Sequence, residues 1–171
     1  MQIRTKFKNN VLPHSYGKKA DEKDILMGNP VRSFPFEVEN LPRGTKYLAF
    51  SLVDYDAIPV CSFPWIHWLG ANLSVSGSSY SVPEDLSRNT GAEFVQGKNS
   101  FSSPLLGEDF SEIATLFVGP TPPDKDHRYT LTVYALSEPV NLQEGFYLNQ
   151  LLDAVSDKIL SSAQINLIGQ F

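Results

Sequence analysis

Cysteine is almost absent: Cys61 stands alone in 171 residues. A single thiol excludes an intrachain disulfide and a cysteine-rich zinc site. Charge is sparse as well. Asp, Glu, Lys and Arg make up 19% of the chain, against about 25% in an average globular protein. Basic residues are the minority, 14 Lys+Arg against 19 Asp+Glu, for a formal net charge of −5. An acidic chain lacks the basic surface that nucleic-acid and anionic-membrane binders use, so neither is expected as a partner. No run of about eighteen apolar residues occurs, so membrane insertion by a helix is not expected. The opening Met1-Gln2-Ile3-Arg4-Thr5-Lys6-Phe7-Lys8 carries basic residues with no apolar run behind them. It does not read as a secretory signal, and a cytoplasmic location is the expectation.

What is present points to one β-rich domain. A hydrophobic content of 42% argues against disorder. The length suits a single domain over residues 1–171 with a real core. Twelve prolines and eleven glycines favour many turns. Strand-like alternation dominates the pattern. Ile3 and Phe7 alternate with Arg4 and Lys6 in a short opening strand, and Lys8 to Pro30 reads as a long polar loop. Phe34, Phe36 and Val38 share one parity, with Pro35 suggesting an edge strand. Tyr47 to Tyr55 is apolar on both faces and reads as a central strand. In Trp65 to Leu73, the residues Trp65, His67, Leu69, Ala71 and Leu73 share a face. Ser74 to Gly107 reads as loops with one short strand near Phe94 and Val95, and Ile113 to Val118 is a further apolar run. Arg128 to Leu136 makes another strand. Leu148, Leu151, Leu152, Val155 and Ile159 fall at helical spacing, and Ala163, Ile165 and Leu167 form a closing strand. The sum is a mostly antiparallel β protein with a C-terminal helix laid against it.

Three segments concentrate groups able to bind or react. Asp54-Tyr55-Asp56-Ala57 ends the central strand. His67-Trp68 precedes Asn72. Gly119-Pro120-Thr121-Pro122-Pro123 leads into His127-Arg128-Tyr129. Two of the three histidines of the chain lie in these segments. Taken singly, each has a structural reading: a hydrogen-bonded core histidine, a turn aspartate, a stiff loop. Together, two carboxylates, two imidazoles and a tyrosine at strand ends can converge on one rim.

The ordered set Asp-x-Asp-Ala, His-Trp-x-x-x-Asn, Gly-Pro-x-Pro-Pro and His-Arg-Tyr resembles the phosphatidylethanolamine-binding protein family, in its bacterial Raf-kinase-inhibitor-like branch. Leu41-Pro42-Arg43-Gly44-Thr45-Lys46, the stretch Tyr129 to Leu136 and the helix-then-strand ending resemble it too, so the likeness runs from Phe34 to Phe171. The resemblance implies a large antiparallel sheet packed with a smaller sheet. It also implies a small pocket for phosphate, another anion or a phosphorylated head group. The implied ligand-binding positions are Asp54, Asp56, His67, Gly119, Pro120, His127 and Tyr129, with Trp68 supporting the wall behind them. Carboxylates do not attract anions, so Asp54 and Asp56 are expected to orient imidazole and backbone N–H donors toward the ligand. No cofactor is implied. The implied partners are a small anionic or phosphorylated ligand, a second copy in a homodimer, and an unidentified protein.

The chain departs from the family's Asp-Pro-Asp-Ala-Pro at Asp54-Tyr55-Asp56-Ala57-Ile58-Pro59. Tyr55 removes a φ lock and is expected to place a phenol at the pocket mouth. Cys61 stands where a small or polar residue is expected, and the segment Pro83 to Glu112 matches the family poorly. Other readings stay open. Cys61 with His67 or His127 and an aspartate would make a hydrolase, although no Gly-x-Ser-x-Gly or Gly-rich oxyanion turn supports one. Asp54, Asp56, His67 and His127 are residue types that suit zinc or iron. An interaction protein with a vestigial pocket is the remaining alternative. A non-catalytic binding module is the leading expectation.

Overall fold

A strand apolar on both faces needs cover on both sides, and the computed structural model, which describes residues 1–89 and 94–171, supplies it. Among these residues lie ten strands: β1 (Gln2–Arg4), β2 (Ile25–Leu26), β3 (Asn29–Pro30), β4 (Phe36–Glu39), β5 (Tyr47–Asp54), β6 (Trp65–Ser74), β7 (Ser79–Val82), β8 (Val95–Gln96), β9 (His127–Leu136) and β10 (Ile159–Gly169). Two α-helices accompany them, α1 (Ile58–Cys61) and α2 (Leu148–Val155). The large sheet has the order β10-β9-β5-β6-β8, every pair antiparallel. A smaller antiparallel sheet has the order β1-β4-β7.

The two sheets face each other over one core. Leu48, Phe50 and Leu52 of β5 meet Phe36 and Val38 of β4, joined by Leu131 and Val133 of β9. On the opposite face of the large sheet, Ala49, Leu69 and Ala71 are covered by Leu151 and Val155 of α2 and by Val140 and Phe146. That double cover explains the apolar run of β5. Each fully buried Leu or Phe contributes about 1.5–3 kcal/mol relative to exposure.

Several expectations change in detail. β4 lies between β1 and β7, so it is an inner strand, and Pro35 stands just before the ladder where no N–H is needed. Phe7 lies beyond β1 and packs its side chain on the core instead. The polar stretch after it contains the hairpin β2–β3. β7 crosses a Ser-rich segment read as loop, and the apolar run at residues 113–118 forms no strand, with turns over 113–115 and irregular backbone to 118. Residues 90–93 of the expected loop lie outside the described residues. α2 ends at Val155; Leu152 is 46% exposed and Ile159 already belongs to β10. Leu73 is not on the face of Leu69 and Ala71: Asn72 adopts φ 64° at a bulge, and Leu73 turns into the inter-sheet core.

Candidate functional site

A second bulge in β6 builds the site. Leu52 pairs with Trp68, but Val53 pairs with Ile66, leaving His67 as the extra residue. Strict alternation would place His67 with Leu69 on the helix-covered face. The bulge brings it beside Trp68 instead. The His67 ring meets the Tyr129 ring edge-on, centroids 4.9 Å apart. Trp68 packs on Phe50 and Phe117 at 4.6 and 5.7 Å.

At this end of the large sheet is a cavity of about 200 Å³. β5 contributes its last residue, Asp54, and β9 its first, His127, with Tyr129 one turn of the pleat further on. The loop before β9 adds Gly119, Thr121, Pro122 and Pro123; α1 adds Cys61; Trp65 and Phe101 close one side. Gly119 cannot be replaced without movement, because a Cβ there would collide with the Tyr16 carbonyl oxygen. Its own N–H donates to Pro30 O at 2.8 Å.

The buried Asp54 carboxylate organises the polar groups. Oδ1 accepts from the Ala57 N–H at 3.0 Å, closing the turn into α1, and Oδ2 accepts from His127 Nδ1 at 2.7 Å. His127 Nε2 donates to Asp124 Oδ1 at 2.8 Å. Burial alone would lower the His127 pKa, but the hydrogen bonds and charges of Asp54 and Asp124 outweigh it and raise the pKa above its ordinary value. With an acceptor on each nitrogen, His127 is an imidazolium held between two carboxylates. His67 is the opposite case. Its Nδ1 donates to Val118 O at 2.6 Å, and burial drives its pKa down to about 4 despite that bond and the Asp54 charge. His67 is therefore neutral at pH 7, and Nε2 is a lone-pair acceptor with no hydrogen-bond partner among the described residues. Burial, then the charge of Asp54, keeps the Tyr129 phenol protonated far above its ordinary range.

Five of the eight expected positions line this cavity: Asp54, His67, Gly119, His127 and Tyr129. Three do not. Asp56 turns outward, where Oδ2 accepts from the Arg128 N–H and Nε at 2.9 and 3.0 Å and Oδ1 from a terminal guanidinium nitrogen at 2.9 Å. That clamp lowers its pKa and leaves it orienting no imidazole. Trp68 is fully buried behind the cavity, donating Nε1–H to Gln96 Oε1 at 2.7 Å. Pro120 turns away from the cavity toward Gly17 and Gly169. Tyr55 is not at the mouth: parity sends it out when Asp54 points in, and it is 51% exposed. Asn72 lies elsewhere, exchanging hydrogen bonds with Val140 N and O at 2.8 Å. Among the described residues no three His, Cys, Asp or Glu side chains gather as a metal-ligand set. Sequence reasoning missed Trp65, Phe101 and Val118 in the wall, and Asp124. The only signal for Asp124 was its place after Pro122-Pro123, three residues before His127.

Comparison with known proteins agrees with this fold. Residues 2–170 match the phosphatidylethanolamine-binding protein family. The chain is 46% identical over 162 residues to the uncharacterized protein YxkA of Bacillus subtilis (strain 168), covering 95% of each chain. It is 31% identical over 153 residues to a UPF0098 protein of Chlamydia trachomatis, covering 88% of this chain and 90% of that one. Among solved structures, a phosphatidylethanolamine-binding protein homologue from Chlamydia trachomatis superposes with a TM-score of 0.72 at 28% identity, over 99% of this chain and 95% of the other. Escherichia coli YbcL shares the fold, with a TM-score of 0.73 at 21% identity over 99% and 98%. With its two facing sheets and the matched span taking in all three strand-end segments, the chain belongs to the phosphatidylethanolamine-binding protein family.

Proposed function

We propose that the cavity is a binding site for a small oxyanion that brings its own proton, the monoanion of phosphate or of a phosphate monoester, and that the protein is a binding module rather than a catalyst. The observation carrying this reading is His67. Its Nδ1–H is committed to Val118 O, its ring lines the cavity, and Nε2 is the ring nitrogen left for an occupant. A neutral imidazole presents a lone pair there, so the favoured partner is a donor: the P–OH of a protonated phosphate. The Tyr129 hydroxyl and Thr121 on the same wall are able to meet the other oxygens. This revises the expected picture of imidazole donors pointing at an anion, because both His127 N–H groups already end on carboxylates. The family's name, which speaks of a phosphorylated lipid, supports a phosphorus oxyanion in the cavity; a phosphodiester has no P–OH, so the proton requirement rests on His67 alone.

The thiol supports binding over hydrolysis. Cys61 Sγ lies 3.4 Å from Ala57 O and 3.2 Å from Phe63 O, so its hydrogen bonds run to carbonyls and not to an imidazole base. A regulatory role, with cavity occupancy read by a protein partner, belongs to the same proposal.

Titration calorimetry with inorganic phosphate tests it. Affinity is expected to fall about tenfold for each pH unit above the second phosphate pKa, as the proton-bearing monoanion disappears. His67→Asn retains a donor to Val118 O and lacks the Nε2 acceptor; it is expected to bind phosphate at least about tenfold more weakly. Affinity that is independent of pH, or unchanged in His67→Asn, overturns the proposal.

A further inference from the structure

Asp124 follows directly on Pro123 of the cavity wall, and its carboxylate accepts from His127 Nε2 at 2.8 Å. Its side chain is 49% exposed, whereas the carboxylate on the other ring nitrogen, Asp54, is buried. Asp54 alone balances the charge of the buried imidazolium. Asp124 adds a second carboxylate, so two negative groups stand against one positive group beside a cavity whose other histidine is neutral. Two effects on a ligand follow. Coulomb repulsion scales with ligand charge, so a dianion meets twice the repulsion that a monoanion meets. The remaining N–H of His127, the ring donor an anion would use, is also taken.

We infer that Asp124 is the specificity-determining residue of the cavity: it turns away fully ionised oxyanions and admits those that keep a proton, selecting phosphate over sulfate. The inference rests on the proposed oxyanion reading and adds the charge class of the ligand. In mildly acid solution phosphate is a monoanion with P–OH donors, one of which suits His67 Nε2. Sulfate has the same shape, carries two charges and has no proton to give. Its oxygens face the His67 lone pair and the negative field of Asp124 with nothing to offset either.

Titration calorimetry of the full chain at about pH 5.5 tests this, with inorganic phosphate and inorganic sulfate as probes on the native protein and on Asp124→Asn, Asp124→Ala and Asp124→Glu. The native protein is expected to prefer phosphate by at least about tenfold, and the Asn and Ala variants to lose at least about tenfold of that preference by gaining sulfate affinity. Asp124→Glu, which keeps the charge, retains the preference. Equal affinity of the native protein for the two anions overturns the inference and, because sulfate brings no proton to His67, the proton-bearing reading with it. A preference unchanged in both Asp124→Asn and Asp124→Ala overturns the inference alone and leaves that reading standing. Failure of the native protein to bind either anion overturns the reading and the inference together. The isosteric Asp124→Asn variant decides the matter if Asp124→Ala fails to fold.

Discussion

Replacing His67 by Asn isolates the acid lability built into the cavity. In the folded chain burial holds the His67 pKa at about 4, against about 6.5 for an unstrained histidine. The unfolded chain therefore binds a proton at this position at a higher pH than the folded chain does. Stability rises with pH wherever the unfolded state holds more protons, so this histidine contributes its full share above about pH 6.5 and loses it as pH falls toward 4. Between pH 7.5 and 5 the ratio of the two binding polynomials changes about thirtyfold, a loss of about 2 kcal/mol. His127 acts in the other sense: its raised pKa adds stability that is present below the unfolded value and is lost as pH climbs through the folded one. In the His67→Asn variant a side-chain amide N–H stands where Nδ1–H was, keeping the bond to Val118 O without a titrating group. Urea unfolding followed by the fluorescence of Trp65 and Trp68 measures both proteins at the two pH values. The native protein is expected to lose about 2 kcal/mol more than His67→Asn on acidification. Parallel losses in the two proteins refute the reasoning, because they remove the buried neutral imidazole from which it starts.

Other perturbations sort the polar groups by burial. Asp54→Ala leaves the His127 and Ala57 donors unpaired in a buried place and is expected to cost about 3–5 kcal/mol by thermal or urea unfolding. Asp56→Asn weakens a clamp whose Arg128 partner is 63% exposed, and the same assay is expected to find less than about 1 kcal/mol. Gly119→Ala forces the loop off the Tyr16 carbonyl, and a loss above about 1 kcal/mol is expected together with weakened phosphate binding. Cys61→Ala removes a thiol bonded to carbonyls, so calorimetry is expected to find phosphate affinity within about twofold of native.

The sequence was most legible where burial follows a strict period. β5 and β9 announce themselves because both faces of one, and alternate residues of the other, sit in the core. β7 stayed hidden because Ser79 and Ser81 point to solvent at a sheet edge, leaving only Tyr80 and Val82 to signal a strand. His67 was found as a residue but assigned to the wrong face, since a one-residue bulge is a relation between strands and leaves no mark on either alone. Asp56 was chosen for its type and shares the parity of Asp54, yet β5 ends at Asp54, and the turn that follows hands Asp56 to Arg128 outside the cavity. Asp124 went unseen because a loop's path decides whether an aspartate three residues before a histidine reaches back to the ring.

The bond from His67 to Val118 has a companion, since the Val118 N–H donates to the His67 carbonyl at 3.1 Å. Residues 113–118 have no strand ladder, so this reciprocal pair, half backbone and half side chain, serves as their rung on β6. Asn99 carries the tie onward: its amide nitrogen donates to Ile113 O and Leu116 O at 2.6 and 2.8 Å, and its Oδ1 accepts from the Phe101 N–H at 2.9 Å. The imidazole that lines the cavity is thus also a fastener for the largely buried segment 113–118. An occupant bonded to His67 Nε2, as proposed, is expected to change the load on that fastener, with amide hydrogen exchange at Val118 and Phe101 as the measurement.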